Sequence, residues 1–551
     1  MEKTSAATVL VDALIANGIS HVFCVPGESY LPVLDALHEA RDQISLITCR
    51  HETAAANMAE AYGKLTGKPG VCMVTRGPGA TQAAVGVHTA FQDSTPMILI
   101  VGQVARDMAD REAFQEIEYR SFFAPISKWA AQIDSAPRMA EYMHRAFATA
   151  QSGRRGPVVL AAPEDMLTDQ VDPVVQPRVL PAAPAPSSAA IETFSDMLSA
   201  SEQPLLLAGG GGWTSEAVND LRAFVEATGL PIALTFRSKD LFDNLHPQFA
   251  GDVGIGPNPL LADRIKSSDL IIALGPRLGE MTSSGYSLLI PGAPTTQKLV
   301  HIHPGAEELG RVFWPALSIH SSPGAFLKAA LGTDLRLNRC HLEQANSAHD
   351  DVNEFSEQVD VASGVNLSAV FRHLGETLPD DAIVCNGAGN YAAWLHRFYR
   401  HRSYKTQLAP TSGAMGYGFP AALAAKAYHP NREVFCIAGD GCFMMASNEL
   451  ATAKQYGLNV VSIVVNNSAL GTIRMHQEGH FPGRVAGTDL ANPDFVAYAE
   501  SFGAFGVRVE TSGEFPSALS EARNAGMPAV IELVTSVEEI APGKRLNLVN
   551  G

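Results

Sequence analysis

The sequence predicts an α/β protein built from three doubly wound parallel-sheet domains, the first and third a duplicated pair. Short apolar runs alternate with helical stretches in each of three blocks, the signature of strands joined by crossover helices. Two stretches look like linkers: 170–190, Pro- and Ala-rich, and 335–364, polar and without a sustained apolar period. They leave blocks at 1–170, 190–335 and 365–540, each of ordinary domain size. Finally, the first block recurs in the third at one offset. Gly77-Pro78-Gly79 and Gly439-Asp440-Gly441 lie 439 − 77 = 362 apart, and the same shift carries the apolar run 97–101 onto 459–463. An alanine-rich helical stretch precedes both glycine turns, at 54–65 and at 421–428.

In chain order, the first block's strands include 44–49, 71–74 and 97–101. The middle block offers 205–208, 232–234, 270–274 and 299–302. In the third block, strand 434–438 leads into Gly439-Asp440-Gly441. A helix over 447–456 follows, closed by Gly457, and then a second apolar run, 460–467.

With 46% hydrophobic and 18% charged residues, no large segment has the composition of a disordered chain. The net charge of −17 speaks against nucleic acid or an anionic membrane as partner. No run reaches the roughly 18 uninterrupted apolar residues of a membrane span. No secretory signal pattern is visible at the start. Seven scattered cysteines, several inside apolar strands, form no close-spaced metal pairs and fit a reducing cytoplasm.

The chemistry concentrates at Asp440 and Asn467. Strand, helix, strand is a parallel crossover, which brings the carboxyl ends of both strands to one edge of the sheet. There a carboxylate and an amide oxygen meet where open α/β sheets bind ligands. Mg²⁺ takes one or two such oxygens and completes its shell with water and phosphate. Gly439 and Gly441 let the backbone approach a phosphate. The pattern predicts a Mg²⁺-diphosphate anchor. The first copy carries Pro78 at the position of Asp440, so only the third block can supply the metal carboxylate.

With Gly439-Asp440-Gly441 and Asn466-Asn467 in this spacing, the chain resembles the thiamin diphosphate-dependent enzymes of the acetohydroxyacid synthase, pyruvate oxidase and 2-oxo acid decarboxylase group. The likeness covers nearly its whole length. It implies a pyrimidine-binding first domain, a central Rossmann-like domain and a diphosphate-binding third domain. It further implies that Asp440, the Asn467 side chain and the Ala469 carbonyl bind Mg²⁺, with Cys442, Leu470 and Gly471 beside the diphosphate and Cys442 acting through its backbone N–H. Arg50-His51-Glu52 matches the family glutamate, whose carboxyl, beside the aminopyrimidine, favours the tautomer that takes the C2 proton. Pro26-Gly27 matches the turn flanking the pyrimidine. Met415 matches the apolar residue that bends the cofactor, and Asn390 a region touching the diphosphate.

Within the group, Ala113-Phe114-Gln115-Glu116 and Ser127-Lys128-Trp129 are similar to acetohydroxyacid (acetolactate) synthases. Phe114, Gln115 and Gln92 would then shape the pocket for a second, acceptor substrate. Two departures stand out. His476 replaces the tryptophan that in the biosynthetic enzymes favours 2-oxobutyrate. Arg277-Leu278-Gly279-Glu280-Met281 replaces the Arg-Phe-Asp-Asp-Arg of FAD-containing members, which speaks against FAD although Gly209 to Gly212 follow a strand.

Each residue also has a plainer reading. Gly439-Asp440-Gly441 alone is a turn, Glu52 a helix N-terminal carboxylate, Met415 core filler, and Gln115 and His476 surface residues. The expectation is a cytoplasmic thiamin diphosphate- and Mg²⁺-dependent carboligase or lyase that joins pyruvate, or a similar 2-oxo acid, to a second carbonyl compound. By resemblance it is a homodimer or homotetramer with active sites at the subunit interface. The alternatives are a decarboxylase releasing an aldehyde, against which the lack of a clear histidine pair counts, and a silent regulatory homologue.

Overall fold

A computed structural model describes residues 3–292, 297–334 and 338–546. Three six-stranded, wholly parallel sheets form the molecule, with helices packed on both faces. In the first, the strands lie in the order Ser45–Thr48, His21–Cys24, Gly70–Val74, Met97–Gln103, Pro157–Pro163, Trp129–Gln132. In the third, the order is Gln407–Leu408, Ile383–Asn386, Val434–Gly439, Val461–Asn466, Ala529–Val534, Phe505–Val509. Numbered along the chain, both read 2-1-3-4-6-5. The repeat inferred from glycine turns is thus a repeat of whole topology.

The middle sheet instead reads 3-2-1-4-5-6, the dinucleotide-fold order: Phe249–Asp252, Ile232–Leu234, Pro204–Ala208, Leu270–Leu274, Lys298–His303, Leu317–His320. Its central strands are buried throughout, as parallel strands covered on both faces must be.

Residues 172–187 carry no helix or strand, in line with their Pro and Ala content. The second polar stretch differs from its sequence reading. Its first residues, 335–337, lie outside the described residues, but Arg339–Phe355 is a helix. It buries His341, Ala345, Ala348 and Val352, a helical stripe of mostly small residues that packs near strand Phe249–Asp252. Apolar periodicity is weak there because alanine and histidine do the burying.

The first and third domains share one continuous core. Helix Glu52–Thr66 packs against helix Gly418–Tyr428. Glu60, fully buried between them, accepts hydrogen bonds from Thr95 Oγ1 (2.6 Å) and Tyr417 Oη (2.5 Å).

Candidate active site

In a sheet ordered 2-1-3-4, the first and third strands are neighbours, and the crevice beyond their carboxyl ends is the ligand position. In the third domain that crevice lies between Gly387 and Gly439-Asp440. Gly439 stands opposite Val465 across the next strand pair, so Asp440 and Asn466-Asn467 emerge at adjacent β-termini. Asp440 is buried; its Oδ1 accepts the Gly441 N–H at 2.9 Å and its Oδ2 the Asn492 Nδ2–H at 2.7 Å. Burial pushes its carboxyl up from the ordinary range, and these bonds pull against that.

Asn492 also donates to Asn466 Oδ1 (3.0 Å), while Asn466 Nδ2 donates to Glu532 Oε1 (2.7 Å). Asn466 is therefore spent on structure. Asn467 turns the other way: its Oδ1 accepts the Ala469 N–H at 3.1 Å, and a Cβ on Gly471 would come within 3.1 Å of its Nδ2. Ser468 between them is left-handed, with φ of 52°, and Leu470 N–H bonds Thr488.

These residues fit a divalent cation. Among the described residues no Lys, Arg or His forms an ion pair with Asp440. A buried carboxylate without a cationic partner is costly unless a metal supplies the charge. The Asn467 amide, whose oxygen is a hard donor of the kind Mg²⁺ takes, follows the adjacent β-terminus. Around Gly441, a Cβ would approach Leu470 Cδ2 (2.9 Å) and Leu490 Cδ1 (3.1 Å), with Met415 Cε at 3.8 Å. Met415 thus overhangs the Asp440 turn.

The Cys442 thiol is occupied structurally. It accepts the Gly416 N–H at 3.2 Å and the Tyr391 hydroxyl at 3.5 Å. Asn390 opens helix Tyr391–Phe398 and accepts the Thr472 hydroxyl at 2.8 Å, joining it to helix Gly471–His480 beyond the metal loop. His476 is exposed on that helix, and His480 one turn on stacks with it, centroids 6.4 Å apart and planes at 16°. Their i,i+4 spacing puts both rings on one face of the helix.

The first domain presents a second crevice at the equivalent place. Gly27 follows strand His21–Cys24 and Pro26; a Cβ there would collide with Thr75 at 2.5 Å. Glu52 begins helix Glu52–Thr66, with His51 as cap accepting the Thr53 N–H at 3.1 Å. The Glu52 carboxylate borders the Gly77-Pro78-Gly79 turn: Oε1 lies 3.4 Å from where a Gly79 Cβ would stand. Gly77 N–H donates to the Gln115 carbonyl at 2.9 Å, which sets the Phe114-Gln115 loop beside the same turn. Pro26, Gly27, Glu52, Phe114 and Gln115 therefore belong to one carboxyl edge.

Gln92 does not join them. It lies at the far end of helix Gly77–Asp93, about 20 Å from Gly79 at 1.5 Å per residue. There it accepts Arg277 Nη2–H at 2.8 Å. That end of the helix faces a cavity of about 460 Å³ between all three domains. Buried Arg237 lines this cavity with Nε and Nη1 unpaired. The glycines beside it are explained by protein contacts, since Cβ atoms would meet Thr235 at Gly209 (1.6 Å), Gly275 at Gly210 (2.2 Å) and Ser94 at Gly211 (2.9 Å).

Comparison with known proteins agrees with this geometry. Family models match in all three domains: the thiamine pyrophosphate enzyme N-terminal TPP binding domain over residues 4–122, the central domain over 191–330 and the C-terminal TPP binding domain over 387–533. The acetolactate synthase large subunit of Parasynechococcus marenigrum (strain WH8102) is 31% identical, covering 97% of this chain and 88% of that protein. The Haemophilus influenzae (strain ATCC 51907 / DSM 11121 / KW20 / Rd) large subunit is also 31% identical, over 95% of this chain and 92% of its own length. This chain belongs to the acetolactate synthase family of thiamine pyrophosphate enzymes.

Corynebacterium glutamicum supplies a further large subunit at 30% identity, over 97% of this chain. The chain presents two crevices at carboxyl edges, one bordered by Glu52 and one by Asp440. Within one chain they belong to domains packed against each other through helices Glu52–Thr66 and Gly418–Tyr428. Among the described residues no helix is long and apolar enough to cross a membrane.

Proposed function

We propose that the protein decarboxylates pyruvate, or a similar small 2-oxo acid, and joins the remaining unit to a second carbonyl compound, as an acetolactate synthase does. The observation that carries this is the placing of Glu52 and the Phe114-Gln115 loop on one turn, Gly77-Pro78-Gly79. Bound thiamin diphosphate supplies the nucleophilic carbon and the electron sink for loss of CO₂. Asp440, Asn467 and the Ala469 carbonyl would hold Mg²⁺, and Gly439, Gly441, Cys442, Leu470 and Gly471 would border the diphosphate. Met415 supports the bent shape. Glu52 donates to the aminopyrimidine, while Phe114, Gln115 and His476 shape the space for the acceptor. Domain bounds near 170–190 and 335–365 go with this reading.

Side chains exposed beside each half-site favour a homodimer or homotetramer in which the Glu52 edge of one subunit meets the Asp440 edge of another. Phe114 and Met108 are exposed near the first, and Met445, Ile473 and Phe481 near the second. The proposal places the enzyme in the cytoplasm and leaves FAD out, since the glycine turn needs no ligand to explain it.

The stacked His476–His480 pair favours a second reading, in which a proton donor ends the reaction as an aldehyde. Mass spectrometry of the products from pyruvate alone, and with added carbonyl acceptors, separates the two. Acetolactate or a mixed acyloin supports the first, and acetaldehyde alone overturns it.

A further inference from the structure

The loop carrying Phe114 and Gln115 holds a conformation that its own residues disfavour. Asp110, Glu112 and Gln115 have φ values of 63°, 51° and 67°, left-handed backbone that side chains with a Cβ adopt at a cost. Three such residues in six, outside any helix or strand, need something to hold them. Glu116 does so. Its Oε1 accepts the Asp110 N–H at 2.7 Å and its Oε2 the Ala113 N–H at 2.9 Å, closing the loop on itself. The same two bonds hold its carboxyl below the ordinary range.

Anchoring comes from elsewhere. Gly77 N–H bonds the Gln115 carbonyl at 2.9 Å, and Arg76 Nη1 the Phe114 carbonyl at 3.4 Å. The tip is thus tied to the turn beside Glu52, while its shape is set from within. Phe114 is 76% exposed, so the chain's own packing does not aim its ring. The backbone does.

We propose that Glu116 is the positioning residue for the acceptor substrate. It acts through Phe114 and Gln115 on the partition between carbon–carbon joining and aldehyde release, and not on the loss of CO₂. This rests on the acetolactate synthase reading above. Glu116→Ala removes both acceptors. Glu116→Gln keeps one and turns an NH₂ group towards the other N–H.

With Glu116→Ala, the acceptor KM should rise about tenfold and product shift towards aldehyde, while CO₂ release per site stays within about twofold. Glu116→Gln should fall between. Amide hydrogen exchange at Asp110 and Ala113 should quicken in the unliganded Glu116→Ala protein, with the thermal midpoint unchanged. Unaltered partition in Glu116→Ala, or a parallel loss of CO₂ release and joining, would overturn the proposal. A wild-type protein that releases only aldehyde would show instead that the acetolactate synthase reading is wrong, and Glu116's role with it.

Discussion

The Glu449 carboxylate of the third domain accepts the backbone N–H of His51 in the first at 3.0 Å, and the same oxygen takes the Arg50 N–H at 2.9 Å. His51 caps the helix that opens with Glu52, so a side chain nine residues beyond Asp440 fixes where Glu52 begins. Glu449 is fully buried; burial pushes its carboxyl up, and Thr452 bonds its other oxygen. Glu449→Ala leaves these amides without an acceptor, a loss of about 1–3 kcal/mol. We expect a lower thermal midpoint and slower C2 hydrogen–deuterium exchange in bound thiamin diphosphate. Glu449→Gln, which keeps Oε1, should recover most of both. Equal behaviour of the two variants would show that the contact does not position Glu52.

Glu52 itself should be dispensable for the fold. Its side chain is half-buried beside the Gly79 turn, and the helix it opens is capped by His51. Glu52→Gln should therefore bind thiamin diphosphate with near-native affinity yet slow C2 exchange by about 10²–10⁴-fold, the span of a lost acid–base group. Exchange at the wild-type rate would refute the role assigned to it.

Much of this was legible in the sequence because it follows from local periodicity. Strands Ile232–Leu234 and Leu270–Leu274 match their apolar runs, and Gly457 closes its helix at φ 63°, as its position predicts. Asp440 and Asn467 could be paired as candidates from the sequence because their spacing is one crossover. What escaped depends on partners far along the chain. Asn492, which binds Asp440 from 52 residues away, sits in an irregular Asn-Pro stretch, and Glu449 reaches across 398 residues to His51. Gln92, named from the local Phe91-Gln92-Asp93 context, lies at the far end of helix Gly77–Asp93 from Gly79, a separation that local sequence does not show. Helix Arg339–Phe355 was hidden because its buried stripe holds a single large aliphatic residue, Val352, beside two alanines and a histidine.

Removing the metal should cost cofactor. After dialysis against a chelator, thiamin diphosphate binding measured by calorimetry should weaken by at least about tenfold and return with Mg²⁺, because phosphate oxygens complete the ion's shell. Asp440→Asn should reproduce the weakening even with Mg²⁺ present. Asn466→Ala should lower the thermal midpoint instead, since Asn466 serves Asn492 and Glu532. If Asn466→Ala abolished Mg²⁺ dependence while Asp440→Asn kept it, the ligand assignment would be wrong.

Purified protein should be colourless. The loop Gly209 to Gly212 fits against Thr235, Gly275 and Ser94, and Arg277-Leu278-Gly279-Glu280-Met281 departs from the Arg-Phe-Asp-Asp-Arg of FAD-containing members. A yellow protein whose visible spectrum is that of bound flavin would contradict this.

Acid should act through His401. This ring is 4% exposed, with Nδ1 2.9 Å from Thr406 Oγ1. Burial, reinforced by the neighbouring positive charge of Lys239, depresses its pKa from 6.5 to about 3. The unfolded chain protonates this histidine near its ordinary pKa, whereas the folded protein refuses the proton until about 3. The stability it contributes is therefore complete above about pH 6.5 and is lost progressively as pH falls towards 3, by up to about 1.4 kcal/mol per pH unit. His401→Asn has no such term. The stability difference between wild type and His401→Asn, from urea unfolding at about pH 8, 6 and 5, should be constant above neutrality and shift against the wild type below it. Buried His396, also held neutral, is present in both proteins and cancels from that difference to first order. A difference independent of pH across this range would mean that folding leaves the proton affinity of His401 unchanged, against the depression assigned to it.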